Sequence, residues 1–139
     1  MNRQDYIDRF LEHYESPRHY GPLARAKVIV KGHNPACGDE VTIYLKVGKG
    51  EIAEQVQFEG KGCAISQAGA SMLLEMVQGK TLAEIEAISY NDLLEALGKT
   101  IVLTRVRCAT LGLTTLKKAI QQYLAHQNKT EQQTGRRAG

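Results

Sequence analysis

Hydrophobic and polar positions change period twice along the chain. Tyr6, Ile7, Phe10, Leu11 and Tyr14 recur at helical spacing and form one apolar stripe. Ser16-Pro17 closes that helix, because the residue before a proline avoids the helical region, and a loop through Gly21-Pro22 follows. From "KVIVKG" onward the period falls to two. In "VTIYLKV", Val41, Ile43, Leu45 and Val47 alternate with Thr42, Tyr44 and Lys46, the pattern of a strand buried on one face. "GKG" at 48–50 is a hairpin turn signal. In "EIAEQVQFE", Ile52, Val56 and Phe58 keep the alternation and Glu54 breaks it, which predicts a bulge or an exposed stretch. Helical spacing returns at Ile65, Ala68, Met72, Leu73, Met76 and Val77, with Gly79 where a helix end is expected. A short helical turn from Thr81 follows, then a helix carrying Leu93, Leu94 and Leu97 that stops at Gly98. A last helix is predicted from about Cys108 to Ala125, with Leu113, Leu116, Ile120, Tyr123 and Leu124 on one face.

A helix, then strands, then helices, without βαβ alternation, predicts an α+β fold: a three-stranded antiparallel sheet with helices packed on one face. The chain of 139 residues is the length of one domain, assigned to 1–126. Residues 127–139, "QNKTEQQTGRRAG", are polar and are predicted to be a disordered tail.

Charge sharpens this picture. The formal net charge is +3, but three cations and only one anion lie in the tail, so the body is nearly neutral. A nucleic-acid surface needs basic residues clustered on the fold itself, so that class is excluded. No apolar run is long enough for a membrane span, and the N-terminus has no signal-peptide core. The expected compartment is the cytoplasm, where thiols stay reduced, and an odd cysteine count of three argues against disulfide staples.

The cysteines therefore carry the candidate chemistry. Cys37 lies in "NPACGDE" between the first two strands, Cys63 closes "EGKGC" at a helix start, and Cys108 in "VRCATLG" stands where the last helix is expected to begin. Helix N-termini favour anions and lower a thiol's pKa, so Cys63 and Cys108 are expected to gain thiolate character. Gly60 and Gly62 are expected to let the backbone approach a bound atom, and Gly38 to free a turn that aims Asp39 toward Cys37. Three thiolates and a carboxylate make a four-coordinate set that suits zinc or an iron–sulfur cluster. Carboxylate is the weaker ligand for such metals, so the Asp39 corner suits a site that releases what it holds. Against this, a single cysteine is more often a small buried hydrophobe and a single Asp a turn residue. No two of the cysteines have zinc-finger spacing.

Other motifs carry less. "GKT" occurs at Gly79 and Gly98, but Leu74 and Leu93 stand where a phosphate loop needs its first glycine, and both follow helices. His13, His19, His33 and His126 have no ligand spacing; only His33 lies near a cysteine.

"NPACGD", "GKGCAISQAGASM" and "RVRCATLGLTTLKKAI" resemble the IscU/SufU family of NifU N-terminal-like iron–sulfur cluster assembly proteins, and "HYESPRHYG" resembles that family's first helix and turn. The resemblance runs to about Leu124. It implies one metal or cluster site formed by Cys37, Asp39, Cys63 and Cys108, holding a transient iron–sulfur cluster, of [2Fe–2S] type, or Zn2+. It also implies a cysteine desulfurase as partner, with iron–sulfur acceptor or carrier proteins downstream. The family has two branches. Scaffold-type members carry a histidine before the third cysteine and an LPPVK-like motif upstream; here these read Arg107 and "TIVLTRV". "RVRCATL", with Arg105 as a supporting residue, resembles SufU instead, but SufU proteins carry an insertion before that cysteine. Here only 44 residues separate Cys63 from Cys108. The primary expectation is a scaffold or carrier rather than a true enzyme. The alternative is a zinc-dependent sulfur relay, a sulfurtransferase in which Cys37 accepts persulfide sulfur. A purely structural zinc domain is the third reading, disfavoured by the carboxylate corner.

Overall fold

A computed structural model describes the backbone of residues 2–138 and the side chains of residues 2–127. The chain runs α1 (Arg3–Glu15), β1 (Val28–Asn34), β2 (Asp39–Gly48), β3 (Ile52–Lys61), α2 (Ala64–Val77), α3 (Leu82–Glu86), α4 (Tyr90–Leu97) and α5 (Lys99–Val102). A 3-10 turn (Leu103–Arg105) then leads into α6 (Val106–Ala138). The three strands form one antiparallel sheet in the order β1-β2-β3, the α+β arrangement expected. The polar tail expected at 127–139 falls on residues whose side chains lie outside the described ones, apart from Gln127. Among the described residues no helix is long and apolar enough to cross a membrane.

Local chemistry explains the helix starts. Asn2 with Asp5, Thr81 with Glu84 and Ser89 with Asp92 each form a reciprocal capping box at α1, α3 and α4. α4 ends at Gly98 as expected. Three details differ from the sequence reading. In α1 the buried residues are Phe10 and His13, while Leu11 and Tyr14 are about half exposed. His13 takes the core-facing position that its polarity hid from the pattern. In β3 the pairing jumps from Lys46↔Gln55 to Val47↔Ala53, leaving Glu54 as the expected bulge. That extra residue flips the parity, so Ala53 rather than Ile52 joins Val56 and Phe58 on the inward face. Finally, α6 starts at Val106, two residues before Cys108, after α5 and the 3-10 turn. Elements of four and three residues are too short to show a period.

The core lies between the sheet and two long helices. Val41, Ile43 and Leu45 of β2 and Phe58 of β3 are fully buried, as are Leu73 and Leu74 of α2 and Leu113 and Leu116 of α6. Each large side chain buried this way contributes about 1.5–3 kcal/mol of transfer free energy. α2 and α6 pack against each other through small residues. A β-carbon on Gly69 would lie 3.3 Å from the Ala109 carbonyl oxygen, and one on Gly112 would lie 3.3 Å from Ala70 Cα. This close crossing lets α2 and α6 cover the same sheet face and brings their N-terminal ends to one end of the molecule.

Candidate metal centre

The inward row of β2 is Asp39, Val41, Ile43, Leu45 and Val47. Asp39 is thus the first residue of an otherwise apolar row, and it has no solvent exposure. Its register partner is Asn34, the last inward residue of β1. Both sheet rows therefore end in a polar side chain, aimed under the N-termini of α2 and α6. Strand parity buries Asp39, and the turn through Gly38, where a turn was expected, carries Cys37.

Residues 35–38 close the β1–β2 hairpin. The Asn34 carbonyl accepts hydrogen bonds from the Cys37 and Gly38 amides at 3.2 and 2.9 Å. Gly38 has φ +71°, the left-handed region that an L side chain enters at a cost. Cys37 is exposed on this turn. Cys63 is the N-cap of α2 and half-buried. Cys108 lies in the first turn of α6 and is 1% exposed.

These positions converge. One ligand atom from each of Cys37, Asp39 and Cys108 lies within 4.8 Å of the other two. Cys63 joins through Asp39 rather than as a member of that trio. Its amide donates to Asp39 Oδ1 at 2.8 Å, and its thiol donates to Oδ2 at 3.7 Å. The carboxylate thus bridges the three-residue group to the third sulfur. A buried carboxylate facing two thiols and touching a third is a donor set that fits a thiophilic ion: three soft sulfurs hold it and one oxygen is a weaker corner.

The electrostatics correct one expectation. Burial pushes the Cys108 thiol far up, and its contacts with Asp39, Cys37 and Cys63 add to this. Desolvation outweighs the favourable helix end, so Cys108 without a metal is a protonated thiol rather than an activated thiolate. Arg105, in the 3-10 turn, is held cationic more firmly than usual. The main cause is a hydrogen bond with Cys108, followed by the charges of Cys63 and Cys37. Arg105 lines the same open cleft as Cys37 and Cys108. His33 is exposed on the outward face of β1.

The glycines act differently from expectation too. A β-carbon on Gly62 would sit 2.2 Å from Asp39 Oδ1, and one on Gly60 would sit 2.5 Å from the Glu40 carbonyl oxygen. They make room for neighbouring protein groups, not for a bound atom. Asn34 is the site residue that sequence reasoning passed over. Its Nδ2 lies 3.7 Å from Cys108 Sγ, and the signal was the parity of Val30, Gly32 and Asn34 along β1. An open cleft of about 700 Å³, bounded by Ala36 and residues 103–107, reaches Cys37 and Cys108.

Known proteins share this arrangement of chain. The chain is 36% identical over 129 residues to the iron-sulfur cluster assembly scaffold protein IscU of Aquifex aeolicus, covering 92% of this chain and 82% of that one. It is 32% identical over 132 residues to the zinc-dependent sulfurtransferase SufU of Bacillus subtilis, covering 83% and 88%. A crystal structure of a putative iron-sulfur cluster assembly scaffold protein for the SUF system from Fervidobacterium islandicum superposes with a TM-score of 0.69 at 26% identity. It covers 86% of this chain and 99% of that one. The model of the NifU-like N terminal domain matches residues 5–130, and the chain belongs to that family.

Proposed function

We propose that this protein is an iron–sulfur cluster assembly scaffold, on which a cluster is built from iron and desulfurase-derived sulfur and then handed on. The observation that carries this reading is the buried carboxylate at the head of an apolar strand row, set among three thiols. A permanent structural centre gains nothing from an oxygen ligand there, whereas cargo that must leave does. Cys37, Asp39, Cys63 and Cys108 hold the cargo. Its sulfur comes from a cysteine desulfurase and its destination is an acceptor or carrier protein, all within the cytoplasm. The relatives named as scaffolds support the same reading.

A second reading is favoured by one observation, the exposed Cys37 on a turn that lines the same cleft as Arg105. Here Cys37, Asp39, Cys63 and Cys108 hold Zn2+, which when bound keeps the thiols deprotonated and ordered. Once a desulfurase group took its place as ligand, the freed Cys37 thiolate would attack the outer sulfur of the desulfurase persulfide. The S–S bond breaks, its electron pair leaves with the desulfurase cysteine, and Cys37 carries the new persulfide. Arg105 steadies the anionic sulfur.

Purification with and without air, followed by metal analysis, separates the two. The scaffold reading expects sulfur-to-iron charge-transfer absorption to grow when iron, cysteine and a desulfurase are added to the protein. A colourless protein with tight equimolar zinc that still accelerates the desulfurase would overturn the scaffold reading in favour of the relay.

A further inference from the structure

We infer that Asn34 is a positioning residue of this centre: its side-chain amide donates to the Cys108 sulfur while its carbonyls hold the Cys37 turn. The inference rests on the reading that Cys108 is a ligand. Asn34 is 7% exposed and closes β1 on the inward face, opposite Asp39. Its side chain uses both ends. Nδ2 points at Cys108 Sγ at 3.7 Å, within reach of an N–H···S bond. Oδ1 accepts from the Ala36 amide at 3.3 Å, and the backbone carbonyl accepts from Cys37 and Gly38. One residue therefore ties the most exposed sulfur of the site to the most buried one.

The amide does chemistry as well as geometry. Cys108 is the sulfur with the least access to water, so it cannot take hydrogen bonds from solvent when deprotonated. A donor at that atom fixes the orientation of a ligating thiolate and stabilises its charge where water cannot, and makes the sulfur harder to oxidise. Aspartate in place of Asn34 would keep an acceptor for Ala36 but set a second carboxylate beside Asp39. The uncharged amide is the group that can serve both the turn and the sulfur.

Two substitutions in the full chain separate these roles. Asn34→Ala removes both side-chain bonds. Asn34→Ser keeps a short acceptor near the Ala36 amide but cannot reach Cys108. The probes are Zn2+ competition against a chromophoric chelator and the sulfur-to-metal charge-transfer band of the Co2+-loaded protein. Both variants are expected to lose about tenfold or more in Zn2+ affinity, the usual effect of removing an outer partner of a ligand. Both should move the Co2+ band to lower energy, because a sulfur without its donor is easier to oxidise. A merely structural role would not move that band. If Asn34→Ser restores affinity and the band stays fixed, the inference is overturned and Asn34 is only a turn residue. If the unsubstituted chain shows no thiolate band at all, the metal-site reading fails and this inference falls with it. Should Asn34→Ala fail to fold, Asn34→Ser with the same two readouts decides alone.

Discussion

Asp39 Oδ1 occupies the space that a side chain on Gly62 would need, with only 2.2 Å between that oxygen and an ideal β-carbon. The β3–α2 connection and the head of β2 are fitted to each other at this point. Gly62 also has φ +138°. Gly62→Ala therefore meets two penalties, a backbone strain of about 1–3 kcal/mol and displacement of the carboxylate. The variant should melt at lower denaturant concentration with metal chelated, and should bind Zn2+ at least tenfold more weakly. Unchanged affinity would mean that Asp39 is not among the ligands.

Removal of the carboxylate itself has a different outcome. Asp39→Ala takes away the weakest ligand, and also the acceptor of the Cys63 amide at 2.8 Å. An amide left without a partner costs about 1–3 kcal/mol, offset in part because a buried carboxylate no longer has to be desolvated. The variant is expected to fold and to release a reconstituted cluster several-fold more slowly to an acceptor. Asp39→Asn, which keeps an acceptor for Cys63, should match its slow release with less loss of stability. Decay of the charge-transfer absorption after mixing with an apo-acceptor measures this, and faster release in both variants would refute a labile oxygen corner.

Much of this was legible in the order of residues, for definite reasons. The alternation from Val41 to Val47 is uninterrupted, and the same parity extended two residues back buries Asp39. Cys37, Cys63 and Cys108 stood out because all three fall at the ends of elements, and antiparallel order brings those ends together. Arg105 was reachable only through the resemblance. What could not be read was how burial competes with the helix end at Cys108, since a thiol's solvation depends on what packs over it. The link from Asn34 to Cys108 spans 74 positions and needs α6 seated on the sheet. His13 was invisible as a core residue because its partner, Ser71, lies on a helix far along the chain.

That histidine makes stability depend on pH. His13 Nδ1 lies 2.7 Å from Ser71 Oγ, which also accepts from the Arg18 amide. Burial lowers the His13 pKa first; Arg18 and Arg9 push the same way, and Glu75 and Glu12 oppose them. The unfolded chain binds this proton more readily than the folded one, so the imidazole favours folding while neutral. Its contribution is complete above the ordinary histidine value near 6.5 and is lost as pH falls below it. Denaturation midpoints between pH 7.5 and 5.5 should fall, and Glu75→Gln should steepen the fall by removing the opposing charge 3.8 Å from Nε2. A midpoint independent of pH in His13→Gln assigns the slope to this residue; an unchanged slope assigns it elsewhere.

The seat of α6 on the sheet is a last point where one contact controls the centre. A β-carbon on Gly32 of β1 would lie 2.0 Å from Thr115 Oγ1, whose hydroxyl donates to the Leu111 carbonyl at 2.8 Å. Gly32 is two residues before Asn34, on the same inward row, and Thr115 is two helical turns beyond Cys108. Gly32→Ala should push α6 off β1 and cost about 1–3 kcal/mol through overpacking. It should also separate Cys108 from Asn34 and weaken Zn2+ binding. Thr115→Ala removes the clashing oxygen, so the double variant should recover part of both losses, with a coupling of about 0.5–3 kcal/mol in a double-mutant cycle. Additive losses in stability would show that α6 does not rest on Gly32. Recovery of stability without recovery of Zn2+ affinity would show that the helix seat and the metal centre are independent.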